Sequence, residues 1–114
     1  MTYTSPRTII DQQHAAFSQG IAFTRAMAAR GDKLAAFMVE NGDRVYAVAR
    51  DIKVDHLKAP IGGHGFRSGI WIVTHQGVEH RVDVSVPHQL PLVDQAARVM
   101  LEAARQIVRA EVAA

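Results

Sequence analysis

The stretch LAAFMVENGDRVYAVARDI, residues 34–52, decides how the chain is read. Two apolar runs, Leu34 to Glu40 and Asp43 to Ile52, flank Asn41-Gly42. That dipeptide is the strongest short-range signal for a two-residue hairpin, because both residues accept positive φ. A turn of that length fixes the pairing, so Met38 is expected opposite Val45, Phe37 opposite Tyr46 and Ala36 opposite Ala47. Both faces of such a hairpin come out apolar: Leu34, Met38 and Val45 on one, Phe37, Val39 and Tyr46 on the other. The predicted hairpin therefore requires cover on two sides.

Upstream, Ser5-Pro6 reads as an N-cap followed by proline at the first helical position, where its missing N–H costs nothing. From Thr8 to about Ala29 apolar residues recur at helical spacing, with Ile10, Phe17, Ile21 and Ala28 on one stripe and Ile9, Ala16, Phe23 and Met27 beside it. Gly20 lies inside this pattern as a bend or a close contact, and Gly31 is the natural stop. Downstream, Lys53 to Gly69 is a connection containing one proline and four glycines. A second hairpin follows, Ile70 to His75 and Val78 to Val86, turning at Gln76-Gly77. Its core face carries Trp71, Val73, Val78, Val82 and Val84, and its solvent face Thr74, Glu79, Arg81, Asp83 and Ser85. Pro87 ends the strand. Pro91 opens a terminal helix to about Val112 with a small-residue apolar band of Val93, Ala96, Ala97, Met100, Ala104, Ile107 and Val108.

These elements predict an α+β fold, a four-stranded antiparallel sheet of two β-hairpins flanked by long N- and C-terminal helices, in the order α-β-β-loop-β-β-α. With 114 residues, the chain suits one domain over 1–114. Helices of this length outreach a short sheet, and together with the two-sided hairpin they leave apolar surface over. A homodimer would bury it.

Composition narrows the chemistry. Hydrophobic residues make up 48% of the chain and charged ones 21%, the balance of a chain that folds. The absence of cysteine excludes disulfides, a thiolate nucleophile and Cys-based metal sites. No apolar run approaches membrane-spanning length and Met1 to Ser5 lacks a secretory pattern, so a cytoplasmic location and no membrane partner are expected. Thirteen cations against eleven acids give a formal charge of +2, which leaves nucleic acid as a weaker expectation than protein.

Four groups of residues are candidates for a site. The histidines His14, His56, His64, His75, His80 and His88 are the obvious source of acid–base or metal chemistry. Among them His75 and His80 fall on one face near the second hairpin's tip, where His64 or His88 would complete a zinc site; the structural reading of these histidines is preferred. Asp51, Asp55 and His56 put carboxylates beside an imidazole, at a spacing that fits ordinary loop entry as well as catalysis. The stretch from Gly62 to Gly69 sets glycines beside His64, Phe66 and Arg67, so backbone N–H groups could converge on an anion. It leads into a strand rather than a helix, however, so it matches neither a P-loop nor a dinucleotide fingerprint. Finally, Arg98, Arg105 and Arg109 form a stripe on the last helix, with Arg25 and Arg30 as further cations, interrupted by Asp94 and Glu102.

No nucleophile–base pair, metal motif or cofactor motif emerges. The sequence reading is a non-catalytic module that binds protein and pairs with itself, with no cofactor. His64, Phe66, Arg67, Arg98, Arg105 and Arg109 are its binding residues. Two other readings stand beside it: nucleic-acid binding through the glycine-rich loop and the arginine stripe, and a small His-dependent enzyme or ligand-binding protein with its pocket under residues 53–69.

Overall fold

A computed structural model describes residues 4–54, 66–87 and 89–114, with the backbone alone for 66–68. Helix α1 (Pro6–Gln19) starts as its sequence dictates: the Ser5 side chain accepts a hydrogen bond from the Thr8 N–H, and Pro6 occupies the first turn. The predicted long first helix is broken at Gly20, which ends α1 and begins α2 (Ile21–Ala29). At Gly31, φ is +96°. Its N–H donates to the Ala28 carbonyl and that of Asp32 to Met27, so the paired bonds of a Schellman motif close α2.

The largest correction concerns residues 34–52. They form no hairpin but most of α3 (Lys33–Asp51), a helix capped by the Asp32 side chain, which accepts from the Ala35 N–H at 2.8 Å. Helical periodicity resolves the puzzle of two apolar faces, because Met38, Gly42, Val45, Tyr46 and Ala49 are buried and lie at offsets of three and four. Val48 and Ile52 extend the same buried surface. The Asn41-Gly42 dipeptide makes no turn. The Asn41 amide donates to the Phe37 carbonyl one helical turn back, and Gly42 is where the ring of Phe17 from α1 comes close enough to exclude a side chain. Glycine is here for interhelical approach, not for positive φ.

Among the described residues the sheet has three strands, not four, in the order β1-β2-β3 and antiparallel throughout. Strand β1 (Lys53–Val54) is short. β2 (Phe66–His75) and β3 (Val78–Pro87) form the predicted second hairpin, with His75 opposite Val78 and positive φ at Gln76 and Gly77. β2 begins at Phe66 instead of Ile70, so the last four residues of the glycine-rich stretch pair with Pro87 to Val84. The expected core face holds: Trp71, Val73, Val82 and Val84 are buried, joined by Val86. Val78 departs from it at 56% exposure, because it sits at the tip beyond the helices' full cover.

Helix α4 (Leu92–Ala113) packs against the sheet on one side and α1 and α3 on the other, and α2 packs on α3. The layers are sheet, α4, then the α1–α3 pair, rather than helices laid side by side on a sheet. A helix with neighbours on two sides needs small residues to let both approach. Ala96, Ala97, Ala103 and Ala104 are all buried and provide that, with Val99, Met100 and Val108 filling between. Ion pairs and caps bind the outer helices: the Arg7 Nε donates to the Arg50 carbonyl at the end of α3, and Arg50 in turn reaches Asp11 of α1 at 3.1 Å. Among the described residues, no helix is long and apolar enough to cross a membrane.

Candidate functional site

Two surfaces stand out, one at each end of α3. The first lies where the β2–β3 tip meets the last turns of α4. Register places His75 opposite Val78 and His80 opposite Val73, so the two imidazoles are diagonal neighbours on the core-facing side. His75 is 7% exposed, and its Nδ1 lies 3.1 Å from Oδ2 of Asp51 at the end of α3. The contact is too bent for a hydrogen bond, which leaves a charge-facing contact rather than a donor–acceptor pair. A groove of about 580 Å³ opens alongside, walled by His75, His80 and Arg81 from the hairpin and by Gln106, Ile107 and Glu111 from α4.

Glu111 is committed to Arg44, whose Nε and Nη2 donate to its two oxygens at 3.3 and 3.0 Å. Those hydrogen bonds, with the charges of Arg44 and His75 acting against desolvation, hold the Glu111 carboxyl below the ordinary carboxylate range. The sign follows directly: a lowered pKa means the contact contributes fully above the ordinary carboxylate pKa and is lost as pH falls through the lowered value. Arg44→Gln should move the Glu111 midpoint upward, toward the ordinary glutamate range, in a carbon-detected NMR titration. An unchanged midpoint would show that the pair does not form in solution.

The second surface is a helical arm made of α2 and the first turns of α3. Helix α2 has no buried residue although most of its side chains are apolar, and Phe23 is 72% exposed. Beside it runs an open cleft of about 290 Å³ lined by Phe17, Met27, Leu34, Met38 and Tyr46. At the cleft's inner end an aromatic cluster stiffens the α1–α3 contact. The His14 ring stacks on Tyr46 with centroids 4.7 Å apart, its Nε2 lies 2.8 Å from Oδ1 of Asp43, and Phe17 leans on the same Tyr46 at 5.6 Å. Burial pushes the Tyr46 phenol pKa up, opposed by the charge of Arg105.

The residues expected to bind are dispersed. His64 lies outside the described residues, as do Asp55, His56, His88 and Gly62 to Gly65. Phe66 and Arg67 are strand residues whose side chains also lie outside the description. Arg98 and Arg105 line a shallow groove against α1 in which Asp94 and Glu102 alternate with them, and Arg105 is held by Glu102. Arg109 lies elsewhere, with its guanidinium 5.0 Å over the Phe37 ring. Among the described residues, no group of three His, Asp or Glu side chains is placed to hold a metal ion. Sequence reasoning missed the Asp51–His75 contact and the Arg44–Glu111 pair, both of which join elements distant in the chain. It also placed Phe23 and Leu34 within apolar faces needing cover, where both are exposed.

No known protein family, curated protein or solved structure matches the chain.

Proposed function

We propose that the chain is a non-catalytic protein-binding module that works as a homodimer, pairing through the α2–α3 arm. The observation that carries this reading is a helix rich in apolar residues with none of them buried. Single exposed apolar residues are ordinary, but here Phe23 and Leu34 adjoin a cleft lined by Met27, Met38 and Phe17. A projecting ring and an apolar recess on one face are self-complementary. A two-fold axis sets the ring of each copy toward the recess of the other, which is how an isologous interface uses one patch twice. The nucleic-acid reading has less support, because Arg98 and Arg105 share their groove with Asp94 and Glu102, which cancels the field that phosphate binding requires.

Sedimentation velocity at tens of micromolar tests the reading. The unaltered chain should sediment at twice its monomer mass. Phe23→Asp should raise the dimer dissociation constant by roughly thirtyfold or more, the effect of removing an aromatic anchor at an interface centre, without changing the far-UV spectrum. A monomer in the unaltered chain would rule out the dimer.

A further inference from the structure

We propose that the free edge of β3 takes up an extended segment of a partner protein as an added antiparallel strand, selecting an acid opposite Arg81, a base opposite Glu79 and aliphatic residues beside them. The proposal rests on the protein-binding part of the reading above and not on dimerisation through the arm.

Among the described residues β3 is an edge strand, since the sheet runs β1-β2-β3. The direction of its backbone groups follows from the turn. Positive φ at both Gln76 and Gly77 makes a type I′ turn, whose flanking pair, His75 and Val78, exchanges both hydrogen bonds. Pairs alternate from there. Glu79, Arg81 and Asp83, opposite Thr74, Ile72 and Ile70, therefore turn their N–H and C=O groups away from β2. One contact agrees with this parity: the Gln106 side chain of α4 donates to the Asp83 carbonyl at 3.3 Å. That contact closes the row at Asp83. Toward the tip, the N–H and C=O groups of Glu79 and Arg81 have no backbone partner outside the hairpin among the described residues.

The two faces of the edge set the sequence of the added strand. On the solvent face Glu79 and Arg81 stand two residues apart, and neither makes an ion pair among the described residues. Opposite charges attract and like charges repel directly across a ladder, so a lysine belongs opposite Glu79 and a glutamate opposite Arg81. The other face looks into the groove of about 580 Å³, which Arg81 borders with its backbone while its side chain alternates to the solvent face. Val78, His80 and Val82 line the sheet side of this groove, and Ile107 and Ala110 the helix side. Val78 belongs to the core-facing set yet is 56% exposed, so this face lacks cover at the tip. Aliphatic side chains at alternate positions of an added strand supply that cover. An antiparallel strand of order Val-Glu-Val-Lys-Val, opposite Val82 to Val78, meets all five positions. Exchanging its Glu and Lys sets like charges against both Arg81 and Glu79, so the edge admits one charge order and rejects the other.

The test is an amide NMR titration of the full chain with the capped peptide Thr-Val-Glu-Val-Lys-Val-Thr, its counterpart with Glu and Lys exchanged, and two N-methylated forms. The expected result is saturable shifts from Val78 to Val82 and at Ile107, with hydrogen exchange at the Glu79 and Arg81 N–H groups slowed only once peptide is bound. Exchanging Glu and Lys should weaken binding on the order of tenfold, through two cross-strand pairs turned from attraction to repulsion. N-methylation of the peptide's Glu, whose N–H faces β3, should abolish binding, whereas N-methylation of its central Val, whose N–H points away, should be tolerated. Arg81→Glu should reverse the preference at that position, favouring Lys over Glu. Phe23→Asp should bind the first peptide as the unaltered chain does. A dimer that ignores the peptide would leave the arm standing and overturn this proposal alone. Slow exchange at Glu79 and Arg81 in the free protein would mean that the edge is already paired, and would overturn it too. Equal binding of both charge orders, or of both N-methylated peptides, would do the same.

Discussion

Gly42→Val should destabilise the protein by about 3 kcal/mol, enough to lower the melting temperature by roughly 10–20 °C in a domain of this size. A Cβ on Gly42 would lie 2.5 Å from Cζ of Phe17 and 2.6 Å from Cε1, well inside van der Waals contact. The Phe17 ring also leans on Tyr46, so moving it away from Gly42 would disturb that contact as well. Valine adds two further methyl groups at the point where α1 crosses α3. The informative step is the reversal. In the exposed interior of a helix, replacing glycine by alanine stabilises by about 1 kcal/mol, so the sign of Gly42→Ala depends on the ring opposite. With Phe17 present, Gly42→Ala should destabilise. In a Phe17→Ala background the same change should stabilise by up to about 1 kcal/mol, since the obstacle is gone and only helix propensity remains. Urea denaturation of the four proteins in the cycle measures the coupling. If Gly42→Ala destabilised by the same amount in both backgrounds, Gly42 would be needed for its own backbone conformation, as a turn would require, and the interhelical account would fail.

That dipeptide also marks the limit of what was legible in the sequence. Asn-Gly carries a strong local preference, yet the residues around it, Met38, Val45, Tyr46 and Ala49, are spaced for a helix, and tertiary packing against Phe17 and α4 decides between the two. A period-two reading of residues 34–48 left both faces apolar, which a half-exposed sheet does not tolerate. That conflict was the signal available, along with Gly31 and Asp32, which form the stop of one helix and the cap of the next. The second hairpin was legible because its turn, its alternation and its burial all agree: Gln76-Gly77 turns, Trp71, Val73, Val82 and Val84 face inward, and Glu79, Arg81 and Asp83 face out. The same holds for α4, whose alanine band matches its place between two layers. The candidate sites were far less legible. Asp51 and His75 are neighbours only because α3 ends beside the hairpin tip, and once residues 34–52 are read as strands that placement disappears. His75 and His80 were correctly placed as diagonal neighbours, since strand register alone determines it.

Trp71→Ala should be the most damaging single change in the sheet, costing about 3–5 kcal/mol, a large share of the roughly 5–15 kcal/mol that stabilises a typical domain. The indole is 0% exposed and stands opposite Val82 at the centre of the β2–β3 ladder, where the sheet meets α4. Its Nε1–H donates to the Val84 carbonyl at 3.0 Å, so the ring is fixed by a polar contact as well as by packing. Alanine leaves a cavity between two layers of regular structure that are not free to collapse into it, which places the cost at the upper end for large-to-small changes. Trp71→Phe separates the two contributions. Phenylalanine keeps most of the apolar volume but removes the N–H, and should cost about 1–3 kcal/mol from the lost bond and the smaller ring together. Because Trp71 is the only tryptophan in the chain, urea unfolding must be followed by far-UV circular dichroism, as the substitution removes the intrinsic fluorescence probe. Midpoints that fall in the order unaltered chain, Trp71→Phe, Trp71→Ala, at similar slopes, fit a ring that works by volume first and by its hydrogen bond second. Equal losses in both variants would reverse that ranking and make the Val84 bond the main contribution. A loss below about 1 kcal/mol for Trp71→Ala would mean that the sheet and α4 do not meet through this residue at all.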